Sequence, residues 1–241
     1  MRFIGVRPVL ARYIGTQHVI GRFEGDRLVS FRDYLHEGLI HHFDGRNNTG
    51  TGHHDPDATT WVDLVTGIQA TMEDVHWQDF GVAFTVPSSK VFYSGQSVEQ
   101  YTIFNTHRVA AITGLHPRIF GERPYPTLYI SSTSARYGFY AQGFDTAFRP
   151  YTSPTLGQTL QIAIRFAGTG TIDLFYNGIL TATIQDVVLY PTPVPIKYLG
   201  CHEANDRTLN GEIYEHLVYN RPLTNEDIFG NFLVSRERYQ I

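Results

Sequence analysis

Glu212 and Glu215 are the first carboxylates to weigh, because a glycosidase needs two of them poised across one cleft, commonly from alternating positions of one strand. They lie in Gly211-Glu212-Ile213-Tyr214-Glu215. Three apart on a strand, they face opposite sides of a sheet, which is the wrong geometry for that reaction. No Gly-x-Ser-x-Gly, phosphate loop or zinc-spaced His/Cys set occurs elsewhere. The expectation is therefore no catalytic residue and no enzyme. The loop His53-His54-Asp55-Pro56-Asp57 is the densest set of metal-like ligands. Calcium wants about six to eight oxygens, and adjacent histidines on a loop rarely converge on one ion. An Asp-Pro turn with solvated histidines, leading into the strand of Trp61, fits better. His41-His42 should alternate across a strand, with one of the pair in the core.

Binding chemistry has other candidates. Trp61 and Trp77 could stack on a sugar ring. Among the 15 tyrosines, Tyr125 and Tyr151 sit in proline-rich loops, where a ring with a polar tip can anchor glycan or protein. His202-Glu203-Ala204-Asn205-Asp206-Arg207 is a polar loop between two β segments. It is either a turn anchored through Asp206-Arg207 or, with Asn205 and Asp206, part of a binding rim.

The elements that must position these residues are short. From 38 to 222 the chain alternates β patterns with Gly, Pro, Asn and Ser turns, the spacing of a sandwich or barrel. Strands are expected at Leu39–Phe43, Tyr101–Phe104, Thr127–Ile130, Arg136–Tyr140, Thr159–Phe166, Lys197–Gly200 and Glu212–Tyr219. Asn177-Gly178 between Thr171–Tyr176 and Ile179–Ile184 signals a hairpin, since both turn residues of type I′ need φ > 0. One helix is expected from about residue 225. Thr224 would be its N-cap, Asp227 would complete a capping box, Leu223 and Ile228 would form a hydrophobic staple, and Arg236 and Arg238 would suit its C-terminal dipole.

Three copies of a ten-residue pattern open the chain: Arg2-Phe3-Ile4-Gly5, Arg12-Tyr13-Ile14-Gly15 and Arg22-Phe23-Glu24-Gly25, each followed by a valine at Val9, Val19 or Val29. Below roughly 40 residues a chain buries too little apolar surface to fold alone. This β-repeat arm, residues 1–30, must therefore pack on the body, on identical copies or on a larger assembly. It carries five arginines against Glu24 and Asp26, or +3, while the whole chain is −4, leaving −7 for residues 31–241. Opposite signs can steer self-association. No motif supports nucleic acid. The apolar share of 42% and charged share of 17% mark a folded chain. Cys201 is the sole cysteine, so no internal disulfide forms. No run approaches the ~20 apolar residues of a membrane span, and the arginines interrupt any signal-peptide core.

Gly38-Leu39-Ile40-His41-His42-Phe43-Asp44-Gly45, Thr60-Trp61-Val62-Asp63-Leu64, Asp173 to Gly178, and Gly211-Glu212-Ile213-Tyr214-Glu215 with Val218-Tyr219-Asn220-Arg221-Pro222-Leu223-Thr224 form a recognisable set. Together they resemble the laminin G-like, concanavalin A-like jelly-roll domains of bacterial and bacteriophage surface proteins, from Gly38 to Ile241. The resemblance implies an all-β jelly-roll sandwich over 31–241 with a short C-terminal helix, Trp61 in its core and a loop rim where sugar or calcium can bind. The chain departs from the Glu-x-Asp-x-Glu signature of the enzymes in that class. Two functions are expected. One is a structural protein on a phage-like particle, made in the host cytoplasm. Its arm residues Arg2, Phe3, Arg12, Tyr13, Arg22 and Phe23 would dock it to capsid or tail proteins or to its own copies, and its jelly roll would be free to touch host-surface glycans. The other is a carbohydrate-binding adhesion module at a bacterial cell surface. Either site would lie around Tyr125, Tyr151, Asn205 and Asp206, with no resident metal and calcium as the one open cofactor.

Overall fold

The computed structural model describes residues 33–241 except 115, 122–126, 142–143, 146–152, 169, 186–193, 196 and 202–206. It gives the backbone alone at 141, 144–145, 194–195 and the arm strands Arg12–Ile14, Gln17–Val19, Gly21–Glu24 and Arg27–Phe31. Two antiparallel sheets of eight strands make a sandwich, as the sequence predicts. The first runs in the order Ile179–Ile184, Ile172–Tyr176, Thr159–Phe166, Tyr101–Ala111, Asn210–Tyr219, Gly81–Phe84, Val75–Gln78, and Leu39–Asp44 also pairs with Asn210–Tyr219. The second runs Phe144–Asp145, Arg136–Ala141, Thr127–Ser131, Arg118–Phe120, Tyr198–Leu199, Lys90–Phe92, Gln69–Glu73, Thr60–Val62.

Between the sheets lies a core built from inward positions of both, including Phe43, Trp61, Ile103, Phe120, Leu128, Ile164 and Ile213. Trp61 is fully buried, edge-on to Phe43 at 5.7 Å and to Trp77 at 5.4 Å. The Trp77 indole N–H donates to the Ala58 carbonyl at 2.9 Å. Both tryptophans are thus core residues and neither stacks on a sugar. A second apolar cluster, with Tyr34, Phe104, Leu217, Tyr219, Leu223, Ile228 and Val234, fills the opposite face of the first sheet beneath the helix Asn225–Tyr239.

Local chemistry fixes the elements that frame this arrangement. Asn177 and Gly178 adopt φ of 48° and 75°, closing the hairpin as their type I′ signal requires. The Thr224 side chain accepts from the Asp227 N–H at 3.1 Å, and the Asp227 carboxylate accepts from the Thr224 N–H at 3.3 Å. Leu223 and Ile228 pack in the same cluster, as a staple should. The central strand Tyr101–Ala111 is longer than its sequence suggests, because covering on both faces leaves no polar-apolar alternation to mark its end.

In the arm, Arg12–Ile14 pairs with Gln17–Val19, and Gly21–Glu24 with Arg27–Phe31, each antiparallel. These are paired strands within the second and third copies of the repeat; the first copy lies outside the described residues. Neither pair extends either large sheet, and the backbone of Arg27–Phe31 runs beside the C-terminal helix. Arg2 and Phe3, and the side chains of Arg12, Tyr13, Arg22 and Phe23, lie outside the described residues.

Because Thr224 and Asp227 satisfy each other's backbone N–H, Thr224→Ala should destabilise the fold by about 1 kcal/mol. Urea unfolding of the full chain measures it, and an unchanged midpoint would show that the cap contributes nothing.

Candidate functional site

The two glutamates do not lie as their spacing suggests. Thr106 is opposite Glu215 and Arg108 opposite Glu212, while the register between Thr106 and His107 shifts by one residue. Thr106 and Arg108 share a face, so the bulge at Tyr214 brings both glutamates to that same outward face. The expectation of opposite faces is corrected by this one extra residue. Even so, the pair lines no cleft. Glu212 is held by Arg108, whose Nε and Nη2 donate at 2.7 and 2.6 Å. Glu215 is wholly enclosed under the helix.

Around Glu215 the enclosure is polar. Ser235 donates to its Oε2 at 2.6 Å and Thr106 at 3.2 Å, while the Tyr34 hydroxyl donates to Oε1. Gln161 Nε2 donates to Ser235 at 2.7 Å. Beside it Asp44 accepts from Tyr239 at 2.5 Å and from Arg238. Burial, then the Asp44 charge, pushes the Glu215 carboxyl up to about 7 despite these bonds. The cluster joins three parts of the chain: the Tyr34 segment, the first sheet and the helix. Its role is to seat the helix.

Of His41-His42, His41 is buried in the core, as expected of one of the pair, while His42, on the helix side of the strand Leu39–Asp44, is only partly buried. His41 Nδ1 lies 2.6 Å from Asp63, and its Nε2 accepts from the Gln96 N–H at 3.0 Å, which makes the ring a neutral Nδ1–H tautomer. His216 contacts Tyr93 and Asn105, and His107 contacts the Tyr137 hydroxyl at 2.8 Å across the sandwich. In the loop 53–57, Asp57 N–H bonds the Asp55 carboxylate at 2.9 Å, the expected turn. His53 is exposed, but His54 departs from expectation. It packs edge-on to Trp77 and Phe80 and lies 2.6 Å from the Gly45 carbonyl. Among the described residues no three His, Cys, Asp or Glu side chains are placed to hold a metal ion.

The outward face of the second sheet is buried at Arg118–Phe120 and Thr127–Ser131 but exposed toward Gln69–Glu73 and Lys90–Phe92. The strands Gln69–Glu73 and Lys90–Phe92 pair so that Thr71 and Phe92, and Glu73 and Lys90, stand side by side. Phe92 is 37% exposed, opposite Tyr198 on the next strand, and their rings lie 5.1 Å apart. Lys90 bonds Glu73 at 2.8 Å. Farther across, on the covered part of the face, the buried Tyr129 lies over Gly138, where a Cβ would come within 2.5 Å of its ring. The His116 ring meets Tyr129 edge-on at 5.5 Å. Nothing in the sequence singles out this face, because strands of three and two residues are too short for their alternation to be read. Tyr125, Tyr151, Asn205 and Asp206 lie outside the described residues. They flank in sequence the strands Thr127–Ser131, Phe144–Asp145 and Tyr198–Leu199.

Comparison with known proteins places this architecture. A family profile described as the concanavalin A-like lectin/glucanases superfamily matches residues 83–229. No curated protein sequence matches the chain. A mutant sialidase of Trypanosoma rangeli displaying trans-sialidase activity is similar, at 14% identity and a TM-score of 0.65, over 82% of this chain and 33% of that one. The chain thus spans about a third of that sialidase's length. Domain 4 of an extracellular arabinanase from Geobacillus stearothermophilus, solved in complex with arabinotriose, is 15% identical with a TM-score of 0.60, over 79% of this chain and 96% of that domain. At these identities the likeness is one of fold. No helix of the described residues is long and apolar enough to cross a membrane.

Burial gives the fold a pH profile. It pushes the imidazoles of His42, His107 and His216 down to about 4, 3 and 3, so the native state keeps them neutral. Unfolded, they take up protons near pH 6.5. Their contribution is complete above that pH and is lost as pH falls, at up to ~4 kcal/mol per pH unit for three groups. Glu215 acts oppositely: its raised pKa means stability declines as pH climbs from about 4.5 to about 7. Unfolding midpoints should peak near pH 6.5, and in Glu215→Gln the deficit relative to the parent should shrink between pH 5 and pH 8. A pH-independent midpoint would contradict this assignment.

Proposed function

The chain belongs to the concanavalin A-like lectin/glucanase superfamily, and we propose that it is a non-enzymatic carbohydrate-binding module whose site is the outward face of its second sheet. The observation that carries the reading is the Phe92–Tyr198 pair, an aromatic surface beside Thr71, Lys90 and Glu73 on a face that the C-terminal helix does not cover. A sugar presents an apolar ring face ringed by hydroxyls, and amphipathic aromatics with polar neighbours match both parts. Similarity over nearly the whole of an arabinanase domain solved with arabinotriose supports a stand-alone module of this kind. Tyr125, Tyr151, Asn205 and Asp206 would add loop contacts. No metal takes part in the proposed site.

The reading of a module without hydrolase activity is supported by where two carboxylates sit, with Glu212 engaged by Arg108 and Glu215 sealed under the helix. A second reading concerns the setting. The repeat arm, which pairs only within its own hairpins among the described strands, supports display on a larger assembly such as a phage-like particle, with the arm on capsid or tail protein. A bacterial cell surface is the alternative setting for the same module.

On a glycan array the full chain should bind weakly, and Phe92→Ala with Tyr198→Ala should reduce binding about tenfold or more at an unchanged melting transition. Binding that survives this pair moves the site elsewhere, and binding lost in chelator brings calcium into it. Incubation with a polysaccharide panel should release no reducing ends; turnover abolished by Glu212→Gln would make the chain a hydrolase.

A further inference from the structure

The strand Ile179–Ile184 forms one edge of the first sheet, with the sequence Ile-Leu-Thr-Ala-Thr-Ile. Soluble proteins guard such edges with charge, proline or strong twist, because unpaired N–H and C=O groups recruit another strand. This edge has no charged or proline side chain, and its one irregularity is a bulge at Thr181, with Ile179–Leu180 and Ala182–Ile184 in regular register on either side. Ile179 is 58% exposed and Leu180 41%, among the largest apolar exposures of the described residues. Leu180 is opposite Phe175, on the helix side, and Gly178 just before it abuts Phe232 of the helix. The other end of the same sheet is different. There Val75–Gln78 lies between Asp74 and Asp79, charged residues in the left-handed conformation at φ of 51° and 53°.

A segment suited to the open edge exists in the chain itself. The arm strands are short, rich in β-branched and aromatic residues, and add to neither large sheet. The arm carries +3 against −7 for the rest of the chain, and exposed Glu226 stands in the first turn of the helix that runs beside Ile179–Ile184. We propose that Ile179–Ile184 is the docking edge for the N-terminal arm of a second copy of this chain, which adds there as a further strand. The inference rests on reading residues 1–30 as an assembly arm, and it supplies the acceptor that reading lacks. Backbone pairing gives such a contact its register, the exposed aliphatics its apolar area, and the opposite charges its encounter rate.

Cysteine crosslinking of the full chain tests it, since the sole native thiol, Cys201, is buried. Ser30→Cys and Thr181→Cys are made in separate chains bearing different tags, mixed, and mildly oxidised. The expected product is a disulfide-linked dimer carrying both tags. Leu180→Lys with Thr181→Lys should weaken self-association, followed by light scattering against concentration, about tenfold or more by setting positive charge against the arm. Arg22→Glu with Arg27→Glu should weaken it similarly. A chain monomeric at every concentration overturns both the docking edge and the assembly arm. Association lost in the arm variant but undiminished in the edge variant, or mixing that yields no two-tag disulfide, leaves the arm its role and removes this edge as its acceptor.

Discussion

The strand Asn210–Tyr219 has almost no face left for water, and the rest of the structure follows from that. It is paired on both edges, packed inward against the second sheet and outward against the helix. Every polar group it carries must therefore find a partner inside the protein, since an unsatisfied buried group costs about 1–3 kcal/mol. Glu215 finds Tyr34, Ser235 and Thr106. His216 finds Tyr93 and Asn105, and Glu212 finds Arg108. The polar residues of this strand are the joints by which the other layers are held in register.

One joint couples distant parts of the chain. Tyr34 reaches Glu215 across 181 residues, and the Leu35 N–H donates to the Asn231 side chain at 3.0 Å. The Tyr219 hydroxyl in turn donates to the Leu35 carbonyl at 2.8 Å. The segment that leaves the arm is thereby tied to the sheet and the helix at once.

The division of labour between the two sheets has the same origin. At its centre, along Tyr101–Ala111 and Asn210–Tyr219, the first sheet is packed on both faces, which encloses His107, Glu215 and His216. The second sheet is covered on its inward face by the core, and toward Gln69–Glu73 and Lys90–Phe92 its outward face remains exposed. Phe92 and Tyr198 lie on that exposed part. Function on this fold is decided by which face is left over, not by which residues are chemically most reactive.

Turn and cap chemistry was legible in the sequence because it is local. Asn177-Gly178, the Thr224–Asp227 box and the Leu223–Ile228 staple each depend on residues within five positions of one another, so type and spacing suffice. The motif from Gly211 to Thr224 and Trp61 likewise marked the fold and the core. Tertiary structure decided the rest. A single bulge at Tyr214 put Glu212 and Glu215 on one face, and no alternation rule contains an extra residue. Covering on both sides extended Tyr101–Ala111 past its visible pattern. The pairing of Phe92 with Tyr198 joins residues 106 positions apart, on strands of three and two residues whose periodicity is too short to read. What a strand faces depends on what packs over it, and only the assembled layers determine that.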